Sequence, residues 1–336
     1  MKRLLLIVLP LLLIVGSSKV EGQQQLIPFV EKNKNGNLEI TYYKETQNKL
    51  EKVKYKEYYP NGQKSSEYTY KDGDRDGKYT YWSKDGQKSS EGTYKNGKQV
   101  GKWTTWYSIG QKWSEGTYKN GKQDGKYTQW YRNGQKEYEW NYKDGKENGL
   151  WTKWYKNGQK ERERTYKDGK EDGQWTYWHE NGQKSSEGTY KYGEQDGLRT
   201  LWYENGQKKL EGNYRNGDGS YPDYFDGFPD WKNETPPFGG RNGKWTGWHE
   251  NGQKEKEGIY VEGKEGGEWT SWHSNGQKSG EITYKDGQMD GLATVWYYNG
   301  QRKEEDTYKD GEEISSKCWD EDGNECECNS WDWGCK

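Results

Sequence analysis

The chain has 336 residues, with 53 Lys+Arg against 55 Asp+Glu, and its 27% hydrophobic content is mostly aromatic: 20 Trp and 30 Tyr but only four Phe. So few aliphatic residues exclude a core of the usual Leu/Ile/Val kind, yet each ring can bury about 150–250 Å², so the apolar content is aromatic rather than missing. The near balance of charge excludes a nucleic-acid groove, because each Lys tends to be matched by a nearby acid, as in Lys112/Glu115 and Lys184/Glu187, and no basic stripe emerges.

Residues 1–22 read as an export signal. Lys2 and Arg3 precede an apolar run over 4–15, which is short for a bilayer span, and small residues Gly16, Ser17 and Ser18 follow. A second cleavage candidate is Val20-Glu21-Gly22. An uncleaved anchor is the alternative, and either reading places the bulk outside the cytoplasm, as a secreted, periplasmic or surface protein. Residues 23–57 read as a degenerate first repeat that caps one edge, with turns at Asn35-Gly36 and Asn48 and a strand over 40–43.

A period of 24 residues then governs the chain over 58–217 and 241–312. It carries a tryptophan ladder, Trp82, Trp106, Trp130, Trp154, Trp178, Trp202, Trp248, Trp272 and Trp296, and a tyrosine ladder from Tyr70 to Tyr308. A fixed period of this length marks a repeat architecture. Segments rich in Trp, Tyr and Thr alternate with turn signals, and none has helical spacing. The pattern predicts an all-β fold: an elongated antiparallel meander of about ten 24-residue hairpins.

Within one repeat, residues 101–125, the spacing predicts a two-residue loop at Ile109-Gly110, which is Asn-Gly in most copies, of the type I′ kind. That pairs Trp106 with Trp113 and Trp103 with Gly116. The segment 120–125 reads as a longer loop. Alternation puts Trp103, Thr105, Tyr107, Ser114, Gly116 and Tyr118 on one face, where a ring covers a bare glycine. The other face carries Thr104, Trp106, Trp113, Glu115 and Thr117. The nine ladder tryptophans stand about 9–10 Å apart, two strands at about 4.8 Å. They either hold the sheet together or serve as ligand contacts.

The one asymmetric element is an insertion over 218–240 rich in Pro and Phe. Tyr224, Phe225, Phe228, Trp231 and Phe238 make it a candidate partner loop, and the alternative is a loop folded back over the sheet. The tail over 313–336 holds Cys318, Cys326, Cys328 and Cys335, read as two disulfides of open pairing in a cap that also carries Trp319, Trp331 and Trp333. Their spacing lacks the C-x2-C knuckle that zinc sites favour.

No catalytic constellation stands out. His179, His249 and His273 fall in a register otherwise held by Tyr, as at Tyr107 and Tyr131, so they substitute for a structural ring. Residues 72–77 imitate the start of a calcium loop, but Ser83 stands where a bidentate Glu is needed. No carboxylate pair rises above the repeat background, and no cofactor or metal site is expected.

The pattern G-K-W-x-x-W-Y-x-N-G-Q-K-x-x-E-G-x-Y-K, best seen at Trp106/Tyr107, Asn133-Gly134-Gln135-Lys136 and Glu187-Gly188/Tyr190, resembles the MORN repeat variant found in bacterial YwqK-type proteins often labelled antitoxin. The resemblance implies an elongated antiparallel sheet that serves protein or lipid contacts without enzyme activity. The export signal, the insertion and the cysteine tail lie outside it. The reading is an exported, non-enzymatic protein-binding or scaffold module. A cell-wall or glycan binder using the tryptophan ladder is the alternative, and an antitoxin or immunity-like role a weaker one. The absence of a basic patch or amphipathic helix speaks against a lipid surface.

Overall fold

The computed structural model describes residues 25–47, 49–217, 240–328 and 334–335. Residues 1–22, expected to be an export signal, the inserted residues 218–239 with Tyr224, Phe225, Phe228, Trp231 and Phe238, and Trp331 and Trp333 lie outside the described residues. Among those described there are 25 strands and no helix, and the strands form one sheet. Each strand pairs antiparallel with its neighbours in the chain, so the sheet is the expected meander of hairpins.

The turns differ from expectation, and in effect the two kinds exchange places. Between strands Lys98–Trp106 and Lys112–Lys119, the Tyr107 N–H donates to the Gln111 carbonyl at 2.8 Å and the Gly110 N–H to the Tyr107 carbonyl at 2.9 Å. The loop therefore has three residues. Only its last, Gly110, is left-handed, with φ of 80°. A type I′ turn would need positive φ at Ile109 too, which a β-branched side chain resists. The extra residue shifts the register beside the turn: Trp106 pairs with Lys112 rather than Trp113. Beyond that shift the expected pairs hold, with Thr105 opposite Ser114 and Trp103 opposite Gly116.

The segment 120–125 is not a longer loop. Asn120 and Gly121 have φ of 52° and 83°, and Lys119 pairs with Lys122. The two-residue type I′ turn sits here, where Asn or Asp tolerates the left-handed position. The second glycine, Gly125, at φ of 106°, belongs to the next strand, in the stretch where its register against the preceding strand shifts. The same turn at Asp72-Gly73 accounts for the calcium-like segment. There the Asp76 carboxylate accepts the Asn96 N–H at 3.2 Å, clasping the turn one repeat on.

Among the described residues there is no second layer, so the rings bury against backbone and against each other. Trp175, Trp245 and Trp269 are only 3%, 1% and 3% exposed. Rings do cover strand glycines, but the glycine is not always the one expected. Trp175 lies over its paired Gly188, whereas Trp103, paired with Gly116, lies over Gly92 on the preceding strand, and Tyr127 covers Gly116. Tyr214, Trp245, Tyr260, Trp269 and Tyr284 form an unbroken edge-to-face file with centroids 5.0–6.4 Å apart. That geometry suits the ring quadrupoles.

A Cβ on Gly258 would lie 2.0 Å from the Trp269 ring. Gly258→Ala is therefore expected to lower stability by about 1–3 kcal/mol through overpacking, measured by urea denaturation. An unchanged midpoint would contradict the ring-over-glycine arrangement.

Candidate functional site

The nine ladder tryptophans, each the last residue of its strand, are all half-buried on one face of the sheet. Above each sits the ammonium of a lysine from the preceding hairpin, at 4.9–5.9 Å from the ring: Lys64 over Trp82, Lys112 over Trp130, Lys278 over Trp296, and likewise for the other six. This is cation–π distance. Each of these lysines also pairs with the glutamate three residues on, as Lys112 does with Glu115 at 2.8 Å. In five repeats a second lysine on the neighbouring strand completes a triad, as Lys102 does on Glu115 at 2.7 Å. Burial opposes ionisation of these carboxyls, but the two ammonium groups prevail and hold Glu67 down to about 2. The ladder side chains thus come together as a row of Lys–Trp–Glu units, and one face of every ring is already occupied. The lysine caps are a feature that sequence reasoning missed; their signal was the Lys at each N-G-Q-K.

The Tyr or His after a ladder tryptophan fixes one repeat to the next; only Trp82, followed by Ser83, lacks it. The Tyr107, Tyr131 and Tyr155 hydroxyls donate to the carbonyls of Trp130, Trp154 and Trp178 at 2.7–2.8 Å. The histidines do the same job: Nε2 of His179, His249 and His273 lies 3.1, 2.8 and 2.9 Å from the carbonyls of Trp202, Trp272 and Trp296. Each histidine therefore donates from Nε2 as a structural substitute for tyrosine. Burial, then the Glu137 and Glu161 charges, push the Tyr131 hydroxyl up to about 12, so it remains a donor throughout the neutral range. At the turns, the Asn133 side chain accepts the Gln135 N–H and donates to the Lys156 carbonyl, and other Asn-Gly copies repeat this bridge.

The insertion leaves the sheet where other repeats make the tight turn. Tyr214 pairs with Arg241, and the Arg215 N–H donates to the Gly240 carbonyl at 2.7 Å, closing its base. The flanking hairpins keep their register: the Tyr203 hydroxyl reaches the Trp248 carbonyl at 2.8 Å across the inserted residues.

In the tail, Cys318 bonds to Cys328 and Cys326 to Cys335, which resolves the pairing left open by the sequence. Glu304 lies close enough to Cys318 and Cys328 to share a cation with them, but both sulfurs are spent in the disulfide and offer no thiolate. Beside it, Glu304 and Asp306 are 7% and 2% exposed. Burial, then the Asp306 charge, push the Glu304 carboxyl up to about 7.

Two predictions follow from these contacts. His273→Tyr keeps the bond to the Trp296 carbonyl and is expected to change stability by less than about 0.5 kcal/mol, whereas His273→Phe loses about 1 kcal/mol or more; equal effects in thermal unfolding would contradict the structural role. A carboxyl whose folded value is raised stabilises the fold fully when protonated, below about pH 4.5, and loses that contribution as pH rises through about 7. Hydrogen exchange in the tail is expected to be slower at pH 5 than at pH 8 after correction for intrinsic rates, and Glu304→Gln should shrink the difference, leaving the part due to Asp306, which burial also raises.

The MORN repeat variant pattern matches ten segments: 53–72, 75–96, 99–120, 123–144, 147–168, 171–192, 195–216, 241–262, 265–286 and 289–310. No curated protein matches the chain. Among solved structures, TcdB2-TccC3 without its hypervariable C-terminal region is 10% identical with a TM-score of 0.17, and a second TcdB2-TccC3 structure is 10% identical at 0.13. The alignments cover 88% and 90% of this chain but only 18% and 16% of those chains, and at those scores the likeness implies nothing about function. The ten matched segments and the hairpin meander establish one relationship: the chain belongs to the MORN repeat variant family.

Proposed function

We propose that the chain is an exported, non-enzymatic scaffold that binds a protein partner through its repeated sheet surface or through the 218–240 insertion. The observation that carries this is the bonding of repeat to repeat, by glycine N–H groups at the tight turns and by the Tyr or His hydrogen bond at the other end of the hairpins. Such bonding makes a stiff surface that offers the same chemistry about every 9–10 Å, which suits positioning more than turnover. The insertion springs from a closed base on that rigid support, the setting in which loops carry contacts. Two disulfides accord with an oxidising compartment outside the cytoplasm.

The glycan reading loses ground because the lysines cover the rings a sugar would stack on. The discriminating experiment is a pull-down from cell-envelope extract with the full chain beside a variant lacking residues 218–240. A protein retained by the full chain and lost from the deletion variant, with its far-UV spectrum intact, supports the insertion as the contact. Wall polysaccharide retained by both, with Trp fluorescence quenched on titration, would instead transfer the function to the tryptophan ladder.

A further inference from the structure

The whole-chain charge balance conceals a gradient. Residues 25–58, the first three strands, hold seven Lys and five Glu, a surplus of two positive charges. Residues 304–328 hold 11 Asp/Glu and two Lys, a surplus of nine negative charges. In a meander whose strands are laid down in chain order, these surpluses fall at opposite ends of the sheet.

Both ends also carry an open strand edge. At the first, strand Ile27–Lys32 pairs only with Leu38–Thr46, and among the described residues nothing pairs with its other edge. Every residue of that strand is exposed, including Ile27, Phe29 and Val30 at 37%, 47% and 49%. At the last, strand Glu312–Trp319 is bonded on its outer side only at Cys318 and Trp319, by Cys326 and Glu325. Among the described residues nothing pairs with the outer edge of 312–317, and Ile314 there is 64% exposed. The described residues of the disulfide-linked tail thus pair with one end of the final strand only.

Unpaired edges of exposed strands are templates for another strand. We propose that this chain assembles head to tail with further copies of itself, the edge 27–32 of one copy pairing with the edge 312–317 of the next. The opposite charge surpluses set the polarity: like ends repel, unlike ends attract. Ile314 and the Phe29/Val30 pair supply apolar contact at the junction. Because the two patches differ, the contact is heterologous and does not close on itself in a dimer, so it continues the sheet into an open linear assembly. This is independent of which partner protein the scaffold binds.

Two full-length variants test it. Phe29→Asp/Val30→Asp blocks the first edge and Glu312→Lys/Glu313→Lys the last. All four side chains are exposed, so far-UV spectra should match the unaltered chain. Sedimentation velocity over rising concentration should show the unaltered chain growing past dimer, and each variant alone weakened by about tenfold or more in association constant. Raising salt from about 0.1 M to 1 M, which shortens the screening length from about 10 Å to about 3 Å, should disperse the assembly. Mixing the two variants should give a one-to-one dimer, since each keeps one intact edge. A chain monomeric at all concentrations, an assembly that stops at dimer, or one unaffected by either variant would each overturn the proposal.

Discussion

The structure depends on one recurrent hydrogen bond, from the Tyr or His that follows eight of the nine ladder tryptophans to the backbone carbonyl of the tryptophan one repeat on, with Ser83 after Trp82 the exception. A single-layer sheet cannot bury a conventional core. It must hold its strands in a register that lets rings fall on glycines and on one another. The Tyr or His bond fixes that register at one end of each hairpin. At the other end, the glycine N–H of each tight turn donates to a carbonyl of the preceding repeat, as Gly121 does to Gln99 at 2.9 Å. Between these two clasps the aromatic file packs without a second layer to press it into place.

How much of this was legible in the sequence depended on whether a feature repeats. The 24-residue period exposed the hairpin meander, the Tyr/His equivalence at His179, His249 and His273, and the pairing of Trp103 with Gly116. The turn types were misassigned because Asn-Gly and Asp-Gly occur at both ends of each hairpin, and the dipeptide alone does not say which glycine needs a left-handed predecessor. The Asn120-Gly121 pair is left-handed at both residues; Ile109-Gly110 is left-handed only at the glycine. One added loop residue then moved Trp106 from Trp113 to Lys112. The lysine caps on the ladder rings depended on that register and were hidden with it. The disulfide pairing could not be read because three pairings satisfy the same four cysteines.

The lysine caps change what the ladder is for. A tryptophan row on an exposed face invites the thought of a stacking platform. Here the ammonium on each ring also serves a glutamate whose carboxyl sits well below its ordinary range, as with Glu115 and Glu257. Ring, cation and anion therefore form one unit, and a ligand would have to displace the cation before it met the ring. Isolated surface pairs contribute little to stability, but the row orders long side chains that would otherwise sweep over the face.

The clasping bonds link residues 22 or 23 apart in uninterrupted repeats, and the Tyr203 bond spans 45 across the insertion. The loop that must close before each contact forms is the same size at the start of the array as at its end. Chain-closure entropy per contact therefore does not rise with array length, and folding can start at any hairpin and spread to its neighbours. A copy with one hairpin pair more or fewer would fold by the same steps. Length, and with it the distance between the two ends, is thus a property that this architecture can vary in increments of one repeat without redesigning any contact.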